Sequence, residues 1–200
     1  MKLTRRELLK ALAVLPIPVA IFTMESLAAM APAADLLDLT PELPDGDDPT
    51  PPADEGPFFK TNSPKRSNLI GPGIKGSKVR VTGKVLDRKG QPLPNVLIDV
   101  WHADADGEYD NIGNRCRGHL FTDKDGSYSF ETIYPGLYPG RTRHYHVRVQ
   151  PAGKRILTTQ LFFPEEPRNQ RDGIFLKALL MKVKQAKDAR LAEFNFVLEV

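Results

Sequence analysis

Lys78-Val79-Arg80-Val81-Thr82-Gly83-Lys84-Val85-Leu86 alternates apolar with polar or small residues, the period of a strand with one face on a core and the other toward water. The turn chemistry of Asp87-Arg88-Lys89-Gly90 follows, and Val96 to Trp101 makes a second apolar run. Downstream, Gly118 to Phe121, the turn Asp123-Lys124-Asp125-Gly126 and Ser127 to Ile133 repeat the unit. A sharp loop, Pro135-Gly136-Leu137-Tyr138-Pro139-Gly140, leads into Arg141 to Val149, then Ile156 to Phe163, and Glu193 to Val200 closes the chain. Short strands punctuated this way predict a mainly β fold, a β-sandwich with long loops. One short helix is expected between Asp172 and Ala189, where Phe175, Leu176, Leu179, Leu180 and Val183 recur at helical spacing.

With 200 residues, 40% of them hydrophobic, and 18 prolines beside 15 glycines, the chain fits one turn-rich globular domain plus some non-globular sequence. Its formal charge is +3, and four cations against two carboxylates in the first 34 residues supply most of that. No basic tract remains to meet a nucleic acid. Cys116 is the only cysteine, which excludes an internal disulfide and a four-sulfur metal site.

Residues 1–34 read as an address. Thr4-Arg5-Arg6-Glu7-Leu8-Leu9-Lys10 precedes an apolar run from Ala11 to Phe22, with small residues from Ala28 to Ala34. This resembles a twin-arginine export signal, which implies a periplasmic or extracellular protein carried across folded. Pro16 and Pro18 interrupt the run, which falls short of the ~20 residues of a spanning helix, so the expected tie to a membrane is export alone. Residues 35–55 are acidic and proline-rich and predict a linker, or an extended arm along the domain that occupies residues 56–200. Glu55-Gly56-Pro57-Phe58-Phe59 at the junction places two aromatics after a turn, either as a staple on the core or as walls of a ring-shaped pocket.

The chemistry centres on Arg141-Thr142-Arg143-His144-Tyr145-His146-Val147-Arg148-Val149. On a strand, His144 and His146 share a face and could share one metal ion. The usual third ligand is a carboxylate, yet nothing acidic follows His146 until Glu165 and Glu166. Two tyrosines do sit in loops beside the strand: Tyr138, and Tyr109 at the end of Trp101-His102-Ala103-Asp104-Ala105-Asp106-Gly107-Glu108-Tyr109. A phenol with a pKa near ~10 ligates only where a hard Lewis acid displaces its proton, and ferric iron does this well.

Together these segments resemble the intradiol ring-cleavage dioxygenases, the family of catechol and protocatechuate dioxygenases. The pattern is carried by Val81-Thr82-Gly83-Lys84-Val85, Gly90-Gln91-Pro92-Leu93-Pro94, Asp99-Val100-Trp101, Gly107-Glu108-Tyr109, Thr122-Asp123-Lys124-Asp125-Gly126-Ser127-Tyr128, Pro135-Gly136-Leu137-Tyr138-Pro139 and Arg141-x-x-His144-x-His146, with Gln160 and Phe163 beyond. The resemblance implies a Greek-key, transthyretin-like sandwich holding non-haem Fe(III) on Tyr109, Tyr138, His144 and His146. It implies that Tyr138 leaves when a catechol chelates and helps to take its protons, that Arg141 stabilises negative charge on the ring, and that Gln160 is its polar partner. The substrates it implies are a catechol and O2, with cleavage between the hydroxyl-bearing carbons and both oxygen atoms entering a muconate-type dicarboxylate. The helical dimerisation segment of the catechol-type enzymes has no counterpart in residues 35–76, which leaves open how a homo-oligomer would assemble.

A rival comes from another class. Val81-Thr82-Gly83, Asp87-x-x-Gly90-x-Pro92-Leu93 and Thr122-Asp123-x-Asp125-Gly126-x-Tyr128 also resemble transthyretin-like or carboxypeptidase-regulatory modules, which catalyse nothing. Such a module has no use for two phenols and two imidazoles at one end, and a zinc or copper protein would leave the phenols without a purpose. Of the remaining residues, His102 and His119 read as surface or supporting groups, and Tyr128, Tyr134, Tyr145 and Trp101 as packing. Cys116, although between two arginines, reads as an inert thiol.

Overall fold

A computed structural model describes residues 48–200; residues 1–47, with the export-type segment and most of the acidic stretch, lie outside the described residues. Among the described residues nine strands form: β1 (Lys78–Asp87), β2 (Leu97–Trp101), β3 (Arg117–Phe121), β4 (Ser127–Ile133), β5 (His144–Gln150), β6 (Leu157–Phe162), β7 (Lys182–Gln185), β8 (Arg190–Glu193) and β9 (Phe196–Leu198). One sheet runs β4-β1-β8-β7, with β9 continuing beyond β8 along β1, and the other runs β3-β2-β5-β6. Only β8 and β9 lie parallel to β1; every other pairing is antiparallel. The chain therefore crosses between sheets after β1, β3, β4 and β6, and the mainly β sandwich expected from the strand spacing is what forms.

Alternation places the core. Val79, Val81 and Val85 of β1 are buried while Arg80, Thr82 and Lys84 face solvent. Facing them from the second sheet are Ile98, Val100, Tyr145, Val147, Val149 and Leu161, with Phe130 and Phe196 completing the cluster. Burial of such side chains, at roughly 25 cal/mol per Å² of apolar surface, is the main stabilising term. At Gly83 an added Cβ would lie 1.7 Å from the Phe194 carbonyl oxygen, so only glycine lets the β8–β9 junction cross β1 there.

Of the short helix expected between Asp172 and Ala189, one 3-10 turn forms. That turn, Lys177–Leu179, precedes β7. Leu179 and Met181 are buried and Val183 is half-buried, an alternation that Lys182 and Lys184 continue on the exposed side, and Met181 N–H donates to the Phe162 carbonyl (3.0 Å). Pairing with β6 and β8 has overridden a pattern that fits either period over so short a run.

The edge of the second sheet at β6 is also covered. Thr50, at the end of the acidic stretch, is buried and donates its N–H to Val197 O, Ala53 donates to Thr158 O, and Thr159 donates its hydroxyl to Pro51 O. Residues 50–54 thus lie as an extended arm over β6 and β9. On β5, Tyr145 and Val147 face the core, while His144 and His146 on the other face pack against Phe162, Tyr109 and Gly56, so all four are buried on a strand that alternates faces.

Candidate metal centre

The strand register assembles one row of side chains across the second sheet: Arg117, Trp101, His146 and Gln160 are successive cross-strand partners. His144, two residues along β5, is opposite Phe162. Trp101 stacks on the His146 ring (centroids 5.1 Å apart, planes 7° apart) and fixes its plane. The loops after β2 and β4 converge here because two glycines let them touch: a Cβ on Gly107 would meet Leu137 O at 2.5 Å, and one on Gly136 would meet Gly107 N at 2.2 Å. Gly136 N–H donates to Asp104 O, and the contact brings the two tyrosine-bearing loops together.

Tyr109 Oη lies 3.2 Å from His144 Nε2 and 3.1 Å from His146 Nε2, and the two Nε2 atoms are 3.1 Å apart. Nδ1–H of His144 donates to the Thr142 carbonyl (2.7 Å), so its Nε2 presents a lone pair. His146 Nδ1 is buried with no hydrogen-bond partner, the Asp54 carbonyl lying nearby without ideal geometry. A triangle with edges near 3.1 Å is the spacing of N and O ligands about an ion at ~2.1 Å and near right angles. Burial, then the Arg141 charge, lowers His144 to about 4, and burial with the His144 and Arg141 charges holds His146 well below the usual imidazole range. Burial pushes the Tyr109 phenol up, against the pull of Arg141 and Arg117. The donor set is therefore two neutral imidazoles and a phenol that only a strong Lewis acid would ionise. Among the described residues no three His, Cys, Asp or Glu side chains gather to hold a metal, so a metal here needs the phenols.

Tyr138 joins through its ring, 5.6 Å from Tyr109 and edge-on to it, and its hydroxyl is not part of the bonded triangle. Phe58 stacks on Tyr109 (4.2 Å, 14°) and meets Tyr138 edge-on, while Phe59 packs edge-on against Trp101. Both phenylalanines thus wall the site. Gly56, at φ +66°, passes so close that its Cβ would be 3.3 Å from His146 Cε1. Arg141 donates Nη2–H to Gln160 Oε1 (2.6 Å) and Nε–H to Asp172 Oδ2 (2.9 Å), and Gln160 Nε2 donates to Asp54 O (2.6 Å).

All six candidate residues therefore fall in one region. Sequence reasoning missed Asp172, Gly56 and the Glu55–Arg148 contact, which are separated by long stretches of chain and leave no local signal. His102 is not on the surface: it is buried, accepting from the Thr132 hydroxyl and donating to Ala103 O. His119 is half-buried and bonded to Ser63. Burial raises the Cys116 thiol to about 12, consistent with inertness.

The profile of the family described as Dioxygenase matches residues 55–200. The chain is 33% identical over 144 residues to a hydroxyquinol 1,2-dioxygenase of Nocardioides simplex, covering 60% of this chain and 49% of that one. It is 30% identical over 181 residues to a chlorocatechol 1,2-dioxygenase of Rhodococcus opacus, covering 72% and 70%. The chain thus spans about half the length of the first of these relatives. Among solved structures, the dioxygenase domain of a dioxygenase carbohydrate-binding protein fusion from the cellulolytic bacterium Streptomyces sp. SirexAA-E is 52% identical, with a TM-score of 0.75 over 76% of this chain and 99% of that one.

Proposed function

The chain belongs to the intradiol ring-cleavage dioxygenases, and on that premise we propose that it opens a catecholic ring between its two hydroxyl-bearing carbons, both atoms of O2 entering a muconate-type dicarboxylate. The observation that carries the reading is the buried triangle of Tyr109, His144 and His146, with Arg141 and Gln160 beside it. A non-catalytic module would have to bury these groups to no purpose, at a desolvation cost.

Tyr109, Tyr138, His144 and His146 would hold a non-haem ferric ion, which supplies the Lewis acidity that ionises phenols and readies a bound catechol for oxygen. The neutral imidazoles keep their lone pairs available down to acid pH because burial suppresses their protonation. Tyr138, half-buried and outside the bonded triangle, would take a catechol proton at its phenolate oxygen, its own proton having been displaced by the ferric ion it would help to hold. Phe58 and the tyrosine rings offer flat walls to an aromatic ring, and the strap from Asp54 to Phe59 keeps water from His146. Arg141 presents fixed positive charge where negative charge grows on the ring, and Gln160 is oriented by donating to Asp54 O while accepting from Arg141.

Arg5-Arg6 with the following apolar run supports export by the twin-arginine route, so the catechol would be met outside the cytoplasm. The test of location is fractionation: Arg5→Lys/Arg6→Lys should keep the chain in the cytoplasm, and unchanged export would refute it. For activity, the iron-loaded protein should show a wine-red tyrosinate-to-Fe(III) band that weakens in Tyr109→Phe and shifts with catechol under argon, and it should consume catechol in air. A colourless protein that takes up no iron and leaves catechol intact would overturn the reading in favour of an exported binding module.

A further inference from the structure

Arg141 is a long side chain whose usefulness depends on where its guanidinium is held. Two of its five N–H groups are committed: Nε–H to Asp172 Oδ2 and one Nη2–H to Gln160 Oε1. Asp172 comes from the loop after β6, 31 residues away, and its side chain is 2% exposed against 16% for Arg141. The same Oδ2 accepts the N–H of Thr142 (2.8 Å), the residue after Arg141, and Oδ1 accepts the N–H of Ile174 (3.0 Å). Thr142 is tied a second time to this loop through its hydroxyl on Asn169 Oδ1 (2.7 Å). One buried carboxylate therefore fixes both ends of Arg141, the backbone just past it and the Nε near its tip.

We propose that Asp172 is a positioning residue for the ring-cleavage reaction: it holds the Arg141 guanidinium against Gln160 and toward the metal centre and acts on the rate through Arg141, its bond to the Thr142 N–H serving the fold of the loop. The inference rests on the ring-cleavage reading. The network continues from Gln160 Nε2 to Asp54 O, so the loop after β6 and the arm over His146 are joined through this one guanidinium. A charge-stabilising group displaced by about 1 Å loses on the order of 10²-fold in rate, while affinity for the ground state changes little.

The experiment is a double-mutant cycle on the iron-loaded full chain, with Asp172→Asn, Arg141→Gln and the pair, using catechol. Asp172→Asn should lower kcat by about 10- to 100-fold and leave KM within about threefold. Catechol binding under argon, followed by fluorescence of Trp101, the only tryptophan, should likewise stay within about threefold. In the Arg141→Gln background the same substitution should change kcat by less than about twofold, since a residue acting through Arg141 has nothing left to position. Equal effects in both backgrounds, or parallel losses of binding and kcat with a lowered Tm, would overturn the proposal and leave Asp172 a loop clip. If Asp172→Asn does not fold, Asp172→Glu, which keeps the charge but displaces the guanidinium, takes its place in the cycle. A wild-type protein that binds iron and cleaves no catechol refutes the ring-cleavage reading, whereas an active wild type with an additive cycle refutes the Asp172 assignment alone.

Discussion

His102 shows what a single buried residue does to the pH response of this protein. Its Nδ1–H donates to Ala103 O and its Nε2 accepts from Thr132, so the neutral ring is satisfied and a second proton would have no place. Burial lowers it from 6.5 to about 4, against the pull of the Ala103 carbonyl. Above pH 6.5 both folded and unfolded forms are neutral and the residue contributes nothing to pH dependence. Below that, the unfolded chain takes a proton that the folded chain refuses. Stability therefore falls between pH 6.5 and 4, by roughly 3 kcal/mol at most. His102→Gln should flatten the fall of Tm between pH 7 and pH 4.5, and parallel Tm curves for variant and wild type would refute this account. The ring was legible in the sequence as a histidine outside the ligand pattern, but its burial was not. The Thr132 that satisfies it is brought near only by the crossing from β3 to β4.

Among the elements, the arm and the strap were half legible. The composition of residues 35–55 predicted no core of their own, and it could not show that residues 50–54 pair with β6 and β9. The strap is held where Arg148 meets Glu55 (3.1 Å) and lies over the Phe59 ring (4.0 Å), both partly exposed contacts worth about 0.5–1 kcal/mol each. Arg148→Ala should therefore lower Tm by only a few degrees, at roughly 2–4 °C per kcal/mol, yet open Glu55 to Phe59 to limited proteolysis. Resistance equal to wild type would show that Phe58 and Phe59 hold the strap by packing alone. The helix that shortens to one 3-10 turn belongs to the same scale. Phe175 to Val183 has apolar residues at spacings that suit either period, and the open edge of β8 decided the outcome, a partner invisible in the local sequence.

For the whole molecule, the division of labour is between a sandwich built on strand pairing and loops whose backbones approach at glycines. The strand pattern made the sandwich legible and the tyrosine and histidine motifs made the site legible, because both are written in short periods. Close approach of backbones is not. Gly83 and Gly136 test the division, since each replaces a hydrogen with a Cβ that meets backbone, at 1.7 Å from Phe194 O and 2.2 Å from Gly107 N respectively. Gly83→Ala forces β9 off β1 and strains the core under Val85, so a loss on the order of 3 kcal/mol or more is expected, a Tm drop of roughly 6–12 °C, with iron content per folded molecule unchanged. Gly136→Ala pushes the two tyrosine loops apart while both sheets stay paired. It should keep the far-ultraviolet circular dichroism of the wild type and most of its Tm, and lose the tyrosinate band and bound iron. If the two variants lose iron and stability in the same proportion, the loops and the sandwich fold as one cooperative unit; if they separate as stated, the metal centre is an attachment to a fold that does not need it.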